Sequence, residues 1–366
     1  MSFLKNLFGK KDPPIRSYAD FWNWFTEHQA TFYGIVKNKG DIRHQFFGKL
    51  TPKLEELRDG YFFLTGMKDE QTAELVFTAE GKIKNMVFIE ELVAEAPALE
   101  RWNFLALKQA MDMSDLVIGI RDMQISTKNL HFYATEHDDH PDLIEITIVQ
   151  DDLTEENRDL IHHATYIFLD NALGELHFAT SIDVLNILSP AEAKAELVPI
   201  TKLKEYLSYR QKEFIEKYEG TWCNIEEDSY SLLETTLDND LPVIAVINTD
   251  LLKWDRKASH PWLLEIEFDF SESANNGMPD QSTQDLMDTI EEQINAALKD
   301  REGFLNIGRQ TGEGKRCIFF ACKDFRQASK VLDQLVRQYE DELEIDFDIY
   351  KDKYWQSLAS FEKGAM

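Results

Sequence analysis

Two stretches near the C-terminus alternate apolar and acidic residues without a break: Leu264-Glu265-Ile266-Glu267-Phe268-Asp269-Phe270 and Leu343-Glu344-Ile345-Asp346-Phe347-Asp348-Ile349. A period of two held over seven residues describes a strand with one buried and one solvated face. The chain between them supplies the rest of a domain. Ser282 is placed to cap a helix, with Asp285 three residues on, and Leu286, Ile290, Ile294, Ala297 and Leu298 fall on one side of it. Gly303 starts a strand through Ile307, and Gly312 and Gly314 turn the chain into a strand over residues 316–322. A second helix buries Ala328, Val331, Leu332, Leu335 and Val336, and Val243–Ile247 is an entry strand ahead of the whole. The order over residues 241–358 is β-α-β-β-α-β, which predicts a ferredoxin-like domain with two helices on one face of an antiparallel sheet. Its first and last strands would then be neighbours. Glu265, Glu267, Asp269, Glu344, Asp346 and Asp348 would share one sheet face.

The preceding 240 residues give weaker signals. A basic N-terminal segment, 1–16, holds Lys5, Lys10 and Lys11 among Phe3, Leu4, Leu7 and Phe8. It is too short to bury much area on a membrane surface, and it lacks the apolar core and cleavage site of a secretory leader. A mixed α+β domain is expected over 17–195. It opens with an aromatic helix over 17–38, in which Phe21, Trp24, Phe25, His28, Phe32 and Ile35 recur at steps of three or four. A short helix around Pro52 to Leu57 and strands at Tyr61–Met67, Thr72–Ala79 and Lys84–Ile89 follow, with Glu80-Gly81 as a hairpin turn between the last two. Strands at Leu130–Ala134 and Leu143–Val149, a helix from Thr154 to Asn171 and a strand at Leu176–Ala179 complete it. A helix from Thr201 to Tyr218 and an acidic, irregular linker over 220–241 make up residues 196–240. The strand-helix-strand order of Leu143–Ala179 echoes that of Trp262–Ile307, so an internal duplication stays open.

Charge limits the partners. With 39 basic against 67 acidic residues the net charge is -28, a field that repels phosphate backbones and anionic lipid and favours basic partners. Direct nucleic-acid binding is therefore not expected. No apolar run approaches the roughly 20 residues that cross a bilayer. The three cysteines, Cys223, Cys317 and Cys322, form no paired framework, which fits a reducing cytoplasm. Cys317 and Cys322 lie an odd number apart on one strand and so face opposite ways.

The segment His260-Pro261-Trp262-Leu263-Leu264, the loop Asn276-Gly277-Met278-Pro279, and Gly308-Arg309-Gln310-Thr311 with Gly314-Lys315-Arg316 recur in order across this domain. Followed by Cys317-Ile318-Phe319-Phe320-Ala321 and a helix, they resemble the bacterial domain of unknown function family 695, over about the last third of the chain. That resemblance implies a fold similar to the regulator of ribonuclease E activity B, a ferredoxin-like protein inhibitor, and it implies no established activity. The N-terminal half resembles an uncharacterised companion region.

Three constellations carry possible chemistry. The six carboxylates of the two alternating strands form either a docking face for a basic protein surface or a solvated outer face that keeps the sheet from aggregating. His131, His137, Asp139 and His140 come nearest to a metal-ligand composition, but a polar loop has the same composition and no HExxH spacing supports a centre. They define the alternative reading, a metal-dependent hydrolase. Arg309 and Arg316 flank the 308–316 hairpin, whose glycines suit turn positions better than a phosphate loop, which joins a strand to a helix. The pair would bind an anion or the acidic rows, or form an intramolecular salt bridge. Trp22, Trp24, Trp254, Trp262 and Trp355 suit cores better than a ligand pocket. No nucleophile motif such as GxSxG is present, and no cofactor is expected. The sequence therefore predicts an α+β protein that binds a basic protein partner without catalysis, its oligomeric state undefined.

Overall fold

The computed structural model describes residues 13–270 and 276–362, so most of the basic N-terminal stretch lies outside the described residues. The chain is a mixed α+β protein that divides into two compact units. One runs to Met111 and takes in Leu173–Leu176; the other comprises Asp112–Ala172 and His177 onward.

In the first unit, helix α1 (Tyr18–Lys37) starts where the Ser17 side chain accepts the Asp20 N–H, satisfying one of the donors a helix start leaves open. Its buried stripe includes Phe21, Trp22, Phe25 and Phe32. These rings meet those of the unit's other elements: Phe32 lies 4.5 Å from Phe46, Trp22 4.6 Å from Phe104, and Phe25 5.2 Å from Trp102. Helix α2 (Gly48–Glu55) leads to β1 (Phe62–Met67) and β2 (Ala73–Thr78), which pair antiparallel; α3 (Ile83–Ala94) then crosses to β3 (Trp102–Ala106), parallel to β2.

The strand expected at Lys84–Ile89 is thus part of α3. Met86, Val87, Phe88, Ile89 and Leu92 are all buried, and a helix buried on most of its circumference offers no polar stripe to separate it from a buried strand. Glu80 and Gly81, both at positive φ (49° and 79°), turn β2 into that helix and make no hairpin. The turn is held by the carboxylate of Glu175, which accepts hydrogen bonds from Thr78 Oγ1 (2.6 Å), the N–H groups of Ala79 and Gly81 (both 3.0 Å) and that of Lys108 (3.2 Å).

The second unit begins with the hairpin β4 (Val117–Ile120) and β5 (Met123–Ser126). Strands β6 (Leu130–Thr135) and β7 (Glu145–Gln150) follow, then α4 (Arg158–Leu173) and α5 (Glu175–Ser181), whose junction Leu173–Leu176 belongs to the first unit, and then β8 (Val184–Leu188), β9 (Val198–Pro199) and α6 (Leu203–Tyr218). A four-stranded sheet runs β8-β7-β6-β9. The strand expected at Leu176–Ala179 is helical. Gly174, at φ +82°, breaks the chain between α4 and α5, and a four-residue apolar run after such a break carries too little periodicity to choose.

The C-terminal sheet is built from β10 (Tyr230–Thr236), β11 (Pro242–Asn248), β12 (Trp262–Asp269), β13 (Phe304–Gly312), β14 (Lys315–Cys322) and β15 (Glu344–Lys351), with helices α7 (Gln281–Ala297) and α8 (Phe325–Tyr339) and a last turn α9 (Ala359–Glu362). The strand order is β10-β11-β13-β14-β12-β15, antiparallel throughout. The four strands from β12 onward carry the expected β-α-β-β-α-β connectivity. Two details depart from expectation. Helix α7 is capped by Asp280, which accepts the Thr283 N–H, and Ser282 instead donates to Asp280. The acidic stretch 220–241, expected to be irregular, contains β10. As an edge strand it leaves Tyr230, Leu232, Glu234 and Thr236 exposed and half-buries the residues between, so it lacks the apolar alternation of a core strand.

Both faces of this sheet are covered, but unequally. Arg316 on β14 reaches Asp288 of α7, which fixes the helix-covered face; α8 lies over β12 and β15. On the other face Leu263, Leu305, Phe319 and Ala321 form a second apolar cluster with Leu251, Leu252, Trp355, Leu358 and Phe361. Trp262 and Trp355 are buried in this unit, as Trp22 and Trp24 are in the first. A bulge between Asn306 and Gly308 shifts the register of β13. Gly308, at φ +140°, has the Val246 carbonyl oxygen 2.2 Å from where a Cβ would stand, which only glycine tolerates. The suspected duplication finds no topological match: β7 and β8 are direct parallel neighbours, whereas β14 separates β12 from β13.

Candidate functional site: a carboxylate ladder on the C-terminal sheet

The register of β12 and β15 sets Glu265 opposite Asp348, Glu267 opposite Asp346, and Asp269 opposite Glu344. Directly opposed residues of an antiparallel pair share a face, with Cβ atoms roughly 4.5–5.5 Å apart. The six carboxylates therefore stand as three like-charged pairs on the face away from α7 and α8. On the other side of β12, Phe319, Cys317 and Lys315 oppose Glu265, Glu267 and Asp269. Lys315 Nζ lies 2.5 Å from Glu267 Oε1 and 3.6 Å from Asp269, so a cation serves the Asp269 end.

The ladder has a gradient along the strands. At its Glu265 end it runs into the apolar cluster under Trp355 and Phe361, while Asp269, Glu344, Asp346 and Asp348 are exposed. Half-burial, then the charge of Glu267 and that of Asp348, pushes the Glu265 carboxyl above the usual carboxylate range, against an opposing hydrogen bond with Tyr350. A carboxyl whose folded pKa is raised holds its proton more tightly when folded, so its contribution to stability falls as pH rises through the window above its ordinary value. Above pH 4.5 stability is accordingly expected to fall with rising pH, and Glu265→Gln to remove part of that fall, read as denaturation midpoints of both proteins against pH. An unchanged slope would refute this. Burial, followed by the charges of Glu265 and Glu267, also pushes the Cys317 thiol up to about 11, which leaves it a poor nucleophile near neutrality.

Arg309 and Arg316 lie on the opposite, helix-covered face. Arg316 Nη1 is 2.6 Å from Asp288 Oδ1, and Arg309 Nη1 is 2.5 Å from Glu291 Oε2, both carboxylates of α7. Their charges tie the helix to the sheet and do not reach the ladder.

The histidine and aspartate residues at 131–140 do not converge. His137 Nε2 is 2.7 Å from Glu145, His131 Nδ1 is 3.7 Å from Asp151, and the His140 ring packs edge-on against Tyr354. Asp139 is exposed in the connecting turn. Among the described residues no group of three or more His, Cys, Asp or Glu side chains is arranged to hold a metal ion.

A buried charge network in the same unit was not foreseen. Asp183 receives Lys353 Nζ at 2.7 Å on Oδ2 and lies 2.7 Å from Lys351 Nζ through Oδ1. Lys351 also donates to the Thr180 carbonyl, and Lys353 to that of Asp142. The Asp142 carboxylate accepts from Tyr218 (2.7 Å), Lys217 (2.8 Å) and Tyr354 (3.1 Å). Burial opposes ionisation of Asp142, but those hydrogen bonds and the Lys217 charge outweigh it and hold its pKa low. Burial, then the bond to Asp142, raises Tyr218, while for Tyr354 burial leads. Each charged group is used by another, so the network ties the end of β15 to α6 and to the β7 and β8 segments. Its sequence signal is slight: Lys351 ends, and Lys353 follows, a strand whose other charged residues are carboxylates.

Residues 231–361 match the model of a family of unknown function, DUF695. The match spans β10 through α9 and so takes in the whole ladder. No curated protein matches the chain, and no solved structure does. Among the described residues no helix is long and apolar enough to cross a membrane.

Proposed function

We propose that this protein is a non-catalytic binding protein whose C-terminal sheet recognises a basic protein surface through its carboxylate ladder. The observation that carries the reading is the direct opposition of three like-charged pairs on one face. Opposed like charges destabilise a sheet, by up to about 1 kcal/mol per pair, and a basic partner relieves that cost. The β-α-β-β-α-β connectivity supports a likeness to ferredoxin-like protein inhibitors, a fold-level analogy, and an inhibitor of a basic enzyme such as a nuclease or toxin suits the charge.

The test compares wild type with Glu265→Gln, Glu267→Gln, Asp346→Asn and Asp348→Asn combined. Affinity capture from a lysate of the host at low and high salt is expected to yield a basic protein that salt releases. The quadruple variant is expected to bind that protein on the order of 100-fold more weakly at low salt. It is also expected to be more stable than wild type, by about 1–2 kcal/mol, since two opposed pairs are neutralised. Equal capture by the folded variant would overturn the reading.

A further inference from the structure

The ladder does not stop at the sheet. Its terminal pair, Asp269 and Glu344, also lines an open cavity of about 610 Å³ where the ends of β12 and β15 meet α7 and α8. The apolar wall of this groove includes Leu286, Val336 and Ile345; Glu340, Asp341 and Glu342 stand with the terminal pair around it. Leu286 and Val336 are half-buried, whereas Asp269, Glu340, Asp341, Glu342 and Glu344 are all exposed. The groove is thus apolar within and acidic around; it lies on the helix-covered side of the sheet and meets the ladder at the Asp269–Glu344 end, where the strands finish.

We infer that the groove anchors a bulky apolar side chain of a basic peptide segment whose lysines or arginines then run along the ladder. This inference rests on the binding reading above and specifies the partner's chemistry. Charge decides the flanking residues: five carboxylates around an apolar wall reject an acidic or purely apolar occupant. Length decides for a peptide over a small cation. Asp269 lies four steps along the strand from Glu265, about 14 Å at the rise of an antiparallel strand, and successive pairs recur about every 7 Å. A peptide backbone spans that distance with a cation at each pair.

Two labelled eight-residue peptides test this by fluorescence anisotropy against the full-length protein. One carries alternating lysine and serine; the other adds two leucines at one end, prepared in both orientations. Wild type is expected to bind the lysine peptide weakly at low salt and one leucine-bearing orientation about tenfold more tightly. Val336→Trp and, separately, Leu286→Asn are expected to abolish that tenfold gain, bringing the leucine-bearing peptide's affinity down to that of the lysine peptide for the same variant. In wild type, NMR methyl shifts of Leu286, Val336 and Ile345 are expected to move with the leucine-bearing peptide, a readout that needs no variant. Binding of the lysine peptide with no gain from leucine in either orientation would overturn the groove inference and leave the ladder reading standing. No binding of either peptide would overturn both.

Discussion

Asp183→Asn is expected to destabilise the protein by roughly 3–5 kcal/mol, the cost of removing one partner from a buried ion pair. The substitution leaves the ammonium groups of Lys353, whose side chain is 3% exposed, and Lys351, 11% exposed, without the carboxylate that lies 2.7 Å from each. The opposite edit behaves differently. Lys351→Met leaves Asp183 paired with Lys353 and removes one desolvated charge, so it is expected to be near neutral or stabilising. In the double variant a single lysine faces the asparagine, and the loss is expected to shrink by more than the separate effects predict. Urea midpoints of the four proteins check the cycle. A loss below 1 kcal/mol for Asp183→Asn would show that the network is solvated.

The same network predicts a pH dependence with a definite sign. Burial outweighs the pull of Asp183 and, helped by the Lys353 charge, lowers Lys351 from 10.5 to about 8. The unfolded chain then binds the proton more tightly, and the penalty is fully present below pH 8. Stability attributable to Lys351 is expected to rise between pH 8 and 10.5, by up to about 3 kcal/mol. The quantity to measure is the difference in unfolding free energy between wild type and Lys351→Met across that window. A flat difference would contradict the assignment.

Glu175→Ala is the second large effect, expected to cost roughly 3–5 kcal/mol. Its carboxylate is the acceptor for the Thr78 hydroxyl and the Ala79, Gly81 and Lys108 amides, and the side chain is 2% exposed. Alanine leaves the buried Ala79 N–H, and the Gly81 N–H beside it, without this oxygen. Glu175→Gln keeps one acceptor oxygen but gives up the charge, so an intermediate loss is expected. Faster hydrogen exchange at Ala79 and Gly81, together with a lowered denaturation midpoint, would confirm the role. Unchanged exchange would show that the turn holds without Glu175.

The C-terminal domain was legible because its strands alternate strictly and its helices carry continuous apolar stripes. The connectivity made β12 and β15 neighbours with their carboxylates on one face, while the register that opposes Glu265 to Asp348 was set by the folded sheet. The first unit was legible only in part. Helix α1 announced itself through its aromatic spacing, while α3 did not, because burial on most sides erased its period. Strand β10 was hidden for the converse reason: an edge strand buries too little to alternate. The Glu80-Gly81 pair marked a turn correctly, but a two-residue turn signal does not say whether a strand or a helix follows it.

The alternating strands and the β-α-β-β-α-β order can be read from the residues alone, because each depends on neighbours within a few positions, and the negative charge is a plain sum over the chain. Which charges meet was set by the fold. It joined Glu175 to Thr78 and Asp183 to Lys351 and Lys353, and it directed Arg309 and Arg316 to α7 and away from the ladder. These are pairings between residues distant in the chain or on opposite faces of a sheet. They are fixed by packing of apolar surfaces that carry no information about the polar groups brought together at their margins.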